Sequence, residues 1–85
     1  MRQYLFPVVF FQDELSGYVA FAPDLNLTSD GETIEEAYLF IQDFIRVYCG
    51  YAIKNGEEEN LIPTKYEKIV ETNPSKLVML VDAFV

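Results

Sequence analysis

The sequence contains no histidine and only one cysteine, so the most common catalytic side chains are scarce. Histidine is the usual general acid or base in enzymes and the usual partner of serine and cysteine nucleophiles. The single thiol, Cys49, lies beside Tyr48 and Gly50 with only Arg46 as a nearby cation, whereas reactive thiols need an electropositive environment. We therefore expect Cys49 to be an inert packing group in a cytoplasmic protein, and we expect no catalytic residue, cofactor or metal.

Positive charge is also scarce, because six basic residues face fourteen acidic ones and the net charge is −8. Proteins that bind nucleic acid gain most of their affinity by neutralising phosphates, so we expect no direct nucleic-acid binding. An acidic surface suits a basic protein partner, whose encounter it accelerates. The same charge also serves to keep a small apolar domain soluble, and composition alone does not decide between these two roles.

Long hydrophobic runs are absent. The longest are residues 5–11 and 18–23, well short of the roughly 20 apolar residues of a membrane-spanning helix. The N-terminus has no small-residue cleavage site typical of a signal peptide. A chain of 85 residues that is 51% hydrophobic suits one domain, residues 1–85, with one core and no membrane association.

Several short segments rich in aromatic and β-branched residues predict strands. Residues 3–11, 18–22 and 25–29 predict three strands that their short connections arrange as an antiparallel meander. Residues 65–70 predict either a strand fragment or a segment along the rim of the domain. Residues 76–85 are apolar on both faces, which favours a last strand inside the sheet, and a crossover from the preceding helix could set it parallel to a meander strand.

Residues 34–54 predict one long helix of roughly 31 Å. Thr33 is placed to act as N-cap and Glu36, three residues later, to reach back as in a capping box. Lys54 in the last turn and Gly56 beyond it mark the end of the helix. The apolar stripe predicted to face the sheet consists of Ile34, Ala37, Tyr38, Ile41, Phe44, Ile45, Tyr48 and Ala52.

The helix is more apolar than one buried stripe requires. Either the sheet wraps widely around the helix, or a second protein surface covers the remaining apolar residues. We favour the second alternative, since a sheet of three or four strands normally contacts only one side of a helix. Gly50 inside the helix costs about 1 kcal/mol relative to alanine, which is consistent with close approach of another backbone. The apolar candidates for a contact with a partner or a second copy are Phe40, Val47 and Tyr51.

The stretch SDGETIEEA, residues 29–37, carries four carboxylates at the start of the helix. Residues 24–35 place oxygen ligands at several positions of a calcium loop, but Ser29 stands where such a loop needs glycine, and a strand precedes it. Helix initiation accounts for the charges, because anions are favoured near the positive end of the helix dipole. The acidic candidates for contact with a basic partner are Asp24, Glu32, Glu35, Glu36 and Asp43.

The order of these features resembles the HicB antitoxin family. The likeness rests on YLFPVVFF at 4–11, YVAFAPDL at 18–25, DGETIEEA at 30–37 and Ile62-Pro63 after the helix, and it extends over about residues 4–81. The resemblance implies an α+β, partial RNase H-like fold: a three-stranded antiparallel meander, one long helix packed on the sheet, and a final strand (β-β-β-α-β). It implies a domain without the catalytic carboxylates of ribonuclease H, and hence no enzyme.

The resemblance also implies a partner, a small basic HicA-type toxin that cleaves mRNA and that such domains bind and block. We expect a homodimer or higher homo-oligomer as well, and the alternative is a solitary structural or regulatory homodimer with no toxin. Full-length antitoxins of the family carry a C-terminal DNA-binding domain, whereas this sequence ends at Val85, so no direct DNA binding is expected. A metal-dependent nuclease, the remaining hypothesis, would need convergent carboxylates such as Asp24 and Glu36.

Overall fold

The computed structural model describes residues 2–85 and confirms the predicted α+β arrangement. The third strand begins two residues later than predicted, since residues 22–26 form a turn in which Asn26 has a φ of 53°. A short helix occupies the segment predicted as a strand fragment or rim segment. The elements are β1 (Gln3–Gln12), β2 (Tyr18–Ala22), β3 (Leu27–Gly31), α1 (Ile34–Lys54), a 3-10 turn (Glu58–Asn60), α2 (Tyr66–Thr72) and β4 (Leu77–Phe84).

The four strands form one antiparallel sheet in the order β3-β2-β1-β4. The sequence-based placement of the last strand inside the sheet, and the option of a parallel orientation, are therefore wrong: β4 lies at an edge, antiparallel to β1. The reason is the path of the chain after α1. Helix α2 packs on one end of the second face of the sheet, where Ile69 contacts Val9 and Val78. The chain therefore enters β4 at the C-terminal end of β1 and runs back antiparallel to it.

The main core lies between α1 and the first face of the sheet. Phe6, Val8 and Phe10 of β1 point into it, as their alternation along a strand requires. The residues of α1 that are buried against them are Ala37, Ile41, Ile45, Cys49 and Ala52.

Two residues of the predicted buried stripe are exposed instead. Phe44 and Tyr48 lie on the flank of α1 with more than two fifths of their surface accessible, while Cys49 takes a central position. Because Ile41, Ile45 and Cys49 form the middle of the buried side, the rings of Phe44 and Tyr48 lie at its margin.

The start of α1 follows the predicted capping pattern with one difference. Thr33 is the N-cap, and its Oγ1 accepts a hydrogen bond from the N–H of Glu36 at 3.1 Å. The carboxylate of Glu36 reaches back, but it accepts from the N–H of Glu32 at 3.1 Å instead of that of Thr33. Two N–H groups at the entrance of the helix are satisfied in this way.

Replacing Thr33 by alanine is expected to lower the free energy of unfolding by about 1 kcal/mol, because the N–H of Glu36 loses its acceptor. Chemical denaturation measures the change. Thr33→Ser, which keeps the hydroxyl, is the control and should remain close to the wild type. Equal stability of the alanine and serine variants would show that the cap contributes nothing.

Cys49 is fully buried against the sheet, and burial raises the pKa of its thiol. The thiol therefore remains protonated at neutral pH, and thiolate is the nucleophilic form. Ellman's reagent at pH 7.5 is expected to modify the folded protein far more slowly than the protein in denaturant, where one equivalent should react at once. Rapid modification under native conditions would contradict this placement.

Candidate functional site

One side of α1 carries an uncovered row of apolar side chains, which we call the α1 stripe: Phe40, Phe44, Val47 and Tyr51. Their exposed fractions are 47%, 44%, 50% and 64%. Spacings of four, three and four residues place them on one side of the helix, beside the buried side. Three of them are the apolar candidates predicted from the sequence, and the structure brings them together.

Phe44 is the member of the α1 stripe that sequence reasoning missed. Its spacings of three residues from Ile41 and four from Tyr48 predict it on the buried side. Its distances of four residues from Phe40 and three from Val47 were the signal for the second stripe. Tyr48, also exposed, borders the stripe, so the apolar surface is wider than predicted.

An acidic cleft of about 320 Å³ lies at the N-terminal end of the α1 stripe, and Phe40 forms part of its wall. Glu32 and Glu36 line it together with Asp30 from the end of β3, and no basic side chain of residues 2–85 contributes to the wall. The structure thus brings Glu32, Glu36 and Phe40, three of the predicted contact residues, to one place. The other lining residues are Ser16, Gly17 and Gly31.

The remaining acidic candidates lie elsewhere. Asp24, in the turn after β2, accepts hydrogen bonds from the N–H of Thr64 at 2.8 Å and from its hydroxyl, so its carboxylate fixes the segment that follows α1. Asp43 is exposed on α1 and forms an ion pair with Arg46 one turn later. Glu35 is exposed and lies about 140° around the helix from Phe40.

Two carboxylates proposed for a nuclease site, Asp24 and Glu36, lie near opposite ends of β3. A five-residue strand is on the order of 13 Å long, so these two groups do not share a metal. Within residues 2–85, no group of three His, Cys, Asp or Glu side chains is placed to hold a metal ion. The calcium-loop hypothesis is also contradicted, because Thr28 and Asp30 lie in β3, paired with Phe21 and Val19 of β2.

A second apolar surface lies on the other face of the sheet, where α2 covers only one end. Leu5, Leu80 and Phe84 are about half exposed there. The β1–β4 register places all three on the same face.

No helix of residues 2–85 has both the length and the apolar composition needed to cross a membrane.

This chain is similar to the crystal structure of the antitoxin HicB from Burkholderia pseudomallei, with a TM-score of 0.78 and 26% sequence identity. The match covers 91% of this chain and 61% of the Burkholderia chain, so the present chain spans less than two thirds of that antitoxin's length. No protein-family model matches the chain, and no curated protein matches it. The chain has a HicB-like antitoxin fold, as the sequence resemblance predicted.

Proposed function

We propose that residues 1–85 form a single HicB-like antitoxin domain that binds and neutralises a small basic HicA-type toxin, an mRNA-cleaving protein, without catalysis of its own. The observation that carries this proposal is the α1 stripe, an exposed apolar surface that ends in an acidic cleft. The likeness to the Burkholderia antitoxin supports the same assignment. A toxin that cleaves mRNA acts in the cytoplasm, which is where we place this domain.

The chemistry of the surface fits a basic protein. Protein interfaces combine an apolar centre with a polar rim, and the α1 stripe supplies the centre while Glu32 and Glu36 supply an acidic rim. The net charge of −8 accelerates encounter with a cationic partner. The same charge opposes direct binding to DNA or RNA.

The predicted contact residues take different parts in this proposal. Phe40, Val47 and Tyr51 form the apolar centre of the contact. Asp43, one turn from Phe40 and from Val47, contributes charge beside it, worth at most about 1 kcal/mol as an exposed pair. Glu35 lies on another side of α1 and contributes only to the overall negative charge. Asp24 binds Thr64 and so contributes mainly to the negative potential of the whole domain. Glu32 and Glu36 line the acidic cleft whose wall includes Phe40.

The test uses a small basic HicA-type toxin, sought first among the open reading frames next to the one for this protein. Purified domain at equimolar concentration is expected to form a stable complex with the toxin and to stop its cleavage of a reporter mRNA. The apparent affinity should fall as salt increases, because screening weakens the attraction between the two charged surfaces. If the toxin is neither bound nor inhibited, the proposal fails.

A second candidate function is a structural or regulatory homodimer without a toxin. The surface around Leu5, Leu80 and Phe84 favours it, because these half-exposed apolar residues lie on the face of the sheet opposite α1. Self-association there leaves the α1 stripe free, so a homodimer is also compatible with toxin binding. Sedimentation velocity at micromolar concentration tests the dimer, and a strictly monomeric protein counts against it.

A further inference from the structure

The outer strands β3 and β4 each have backbone groups that point away from the sheet, and the hydrogen-bond pattern of the sheet shows which groups these are. Arg2 and Val85 exchange two backbone hydrogen bonds of 2.8 Å, which shows that even-numbered residues of β1 bond to β4. The N–H of Asp13 donates to the carbonyl of Gly17 at 3.0 Å, so odd-numbered residues of β1 bond to β2. The direction of every backbone group in the sheet follows from this alternation.

In β3, the alternation leaves Thr28 and Asp30 facing outward. Even-numbered residues of β2 bond to β3, and Ala20 and Ala22 are paired with Ser29 and Leu27. The N–H and C=O groups of Thr28 and Asp30 therefore point away from the sheet along its open edge. They have no backbone or side-chain hydrogen-bond partner within residues 2–85.

The opposite edge, that of β4, is partly occupied by the protein's own side chains. The hydroxyl of Tyr66 donates to the outward carbonyl of Val78 at 2.9 Å. The side-chain amide of Gln42 donates to that of Asp82 at 2.8 Å. Proteins commonly protect outer strands in such ways, and an unprotected edge is a template for another chain. By this criterion β3 is the open edge of the sheet.

The charge around β3 selects the kind of chain that fits. The side chain of Asp30 is exposed, and the acidic cleft with Glu32 and Glu36 lies at the end of the strand. A second copy of this chain, with a net charge of −8, would meet repulsion there. A basic segment would meet attraction, and Phe40 in the same cleft offers apolar contact to its side chains.

We infer that the edge of β3 is a docking site for an extended segment of a basic protein partner. The segment adds as a fifth strand beside β3 through backbone hydrogen bonds to Thr28 and Asp30. Binding by strand addition draws affinity from main-chain bonds and specificity from the side chains along the strand. The inference adds a binding mode to the proposed function. It rests on that proposal for the identity of the partner as a toxin.

A proline at position 28 tests the edge. Thr28→Pro removes the outward N–H and leaves the β2–β3 pairs at Leu27 and Ser29 in place, since proline is tolerated on outer strands. Thr28→Val keeps the N–H and is the matched control. We expect calorimetry to give toxin binding about tenfold or more weaker for the proline variant and unchanged within about twofold for the valine variant. Equal binding by the proline variant overturns the inference.

Hydrogen exchange on the wild-type protein gives a second measurement in case the proline variant does not fold. The amides of Thr28 and Asp30 should exchange markedly more slowly in the toxin complex than in the free domain. Unchanged exchange at both positions overturns the inference. The inference is also overturned if the free domain is a dimer that Thr28→Pro dissociates, because the chain bound at the edge of β3 is then a second copy of this protein.

A synthetic peptide separates failure of this inference from failure of the proposed function. If the wild-type domain does not bind the toxin, the proposed function fails, and an alternating Arg-Val peptide then tests the edge alone. The peptide should bind the wild-type and valine forms and slow exchange at Thr28 and Asp30, whereas a Glu-Val peptide of equal length should not. Equal binding of the two peptides, or undiminished binding to the proline variant, contradicts the docking site.

Discussion

Replacing Phe40 and Tyr51 together by alanine is expected to weaken toxin binding by about a hundredfold or more. Large aromatic side chains at the centre of an interface typically cost about 2 kcal/mol or more each when truncated, and 1.4 kcal/mol corresponds to about a tenfold change in affinity. Both rings lie on the exposed side of α1, so the free energy of unfolding should change by no more than about 1 kcal/mol in total. Titration calorimetry and chemical denaturation measure the two effects.

Leu39 provides the matched control for this double variant. It is 62% exposed on the same helix but lies about 100° around it from Phe40, away from the α1 stripe. Leu39→Ala should leave toxin binding within about twofold of the wild type. The α1 stripe is not the binding surface if the double variant binds the toxin as tightly as the wild type, or if the loss for Leu39→Ala is as large.

Replacing Gly31 by alanine is expected to lower the free energy of unfolding by about 1–3 kcal/mol, as overpacked substitutions do. A Cβ at this position would lie 2.7 Å from the backbone nitrogen of Ala37 and 2.9 Å from Cβ of Glu36. The backbone of Ala37 has little freedom to move, because the hydroxyl of Ser29 donates to its carbonyl at 2.8 Å. The end of β3 and the first turn of α1 must separate to accept the methyl group.

Gly50 is the matched control for Gly31, with an expected effect of opposite sign. A Cβ there would meet only Cγ1 of Val85, at 3.9 Å, so the helix gains the propensity of alanine without a collision. Gly50→Ala should raise the free energy of unfolding by up to about 1 kcal/mol. Urea denaturation compares the two variants with the wild type. Equal stabilities of the two would show that the close approach at Gly31 does not constrain the fold.

Gly50 does not mark the close backbone contact that its position inside the helix suggested. A glycine inside α1 was consistent with close approach of another backbone, but in residues 2–85 no backbone atom outside its own stretch of helix lies within 4 Å of its Cβ position. Within the fold, close backbone approach occurs at Gly31 instead. The sequence pattern pointed to Gly50, which stands among Tyr48, Cys49 and Tyr51, whereas Gly31 lies between the acidic residues Asp30 and Glu32.

The sequence predicted the helix with the greatest accuracy, and the reason is local. Thr33 as N-cap, the apolar spacing along 34–54 and Gly56 beyond the end all act within a few residues of one another, and the observed helix has the predicted bounds. The first two strands also follow from local composition. The exposed apolar side chains of Phe40, Val47 and Tyr51 could be predicted because α1 carries more apolar residues than one small sheet can cover.

The long-range features were decided by the tertiary structure. Helix α2 leads the chain into β4 by packing on one end of the second face, and the burial of Ile69 that holds it there depends on Val9, sixty residues earlier in the chain. Phe44 is exposed because the side of α1 that meets the sheet is the one that carries Ile41, Ile45 and Cys49. The open edge at Thr28 likewise depends on which strands become neighbours. Local patterns specify what each segment forms, whereas its neighbours, its covered face and its free edges depend on contacts between residues far apart in sequence.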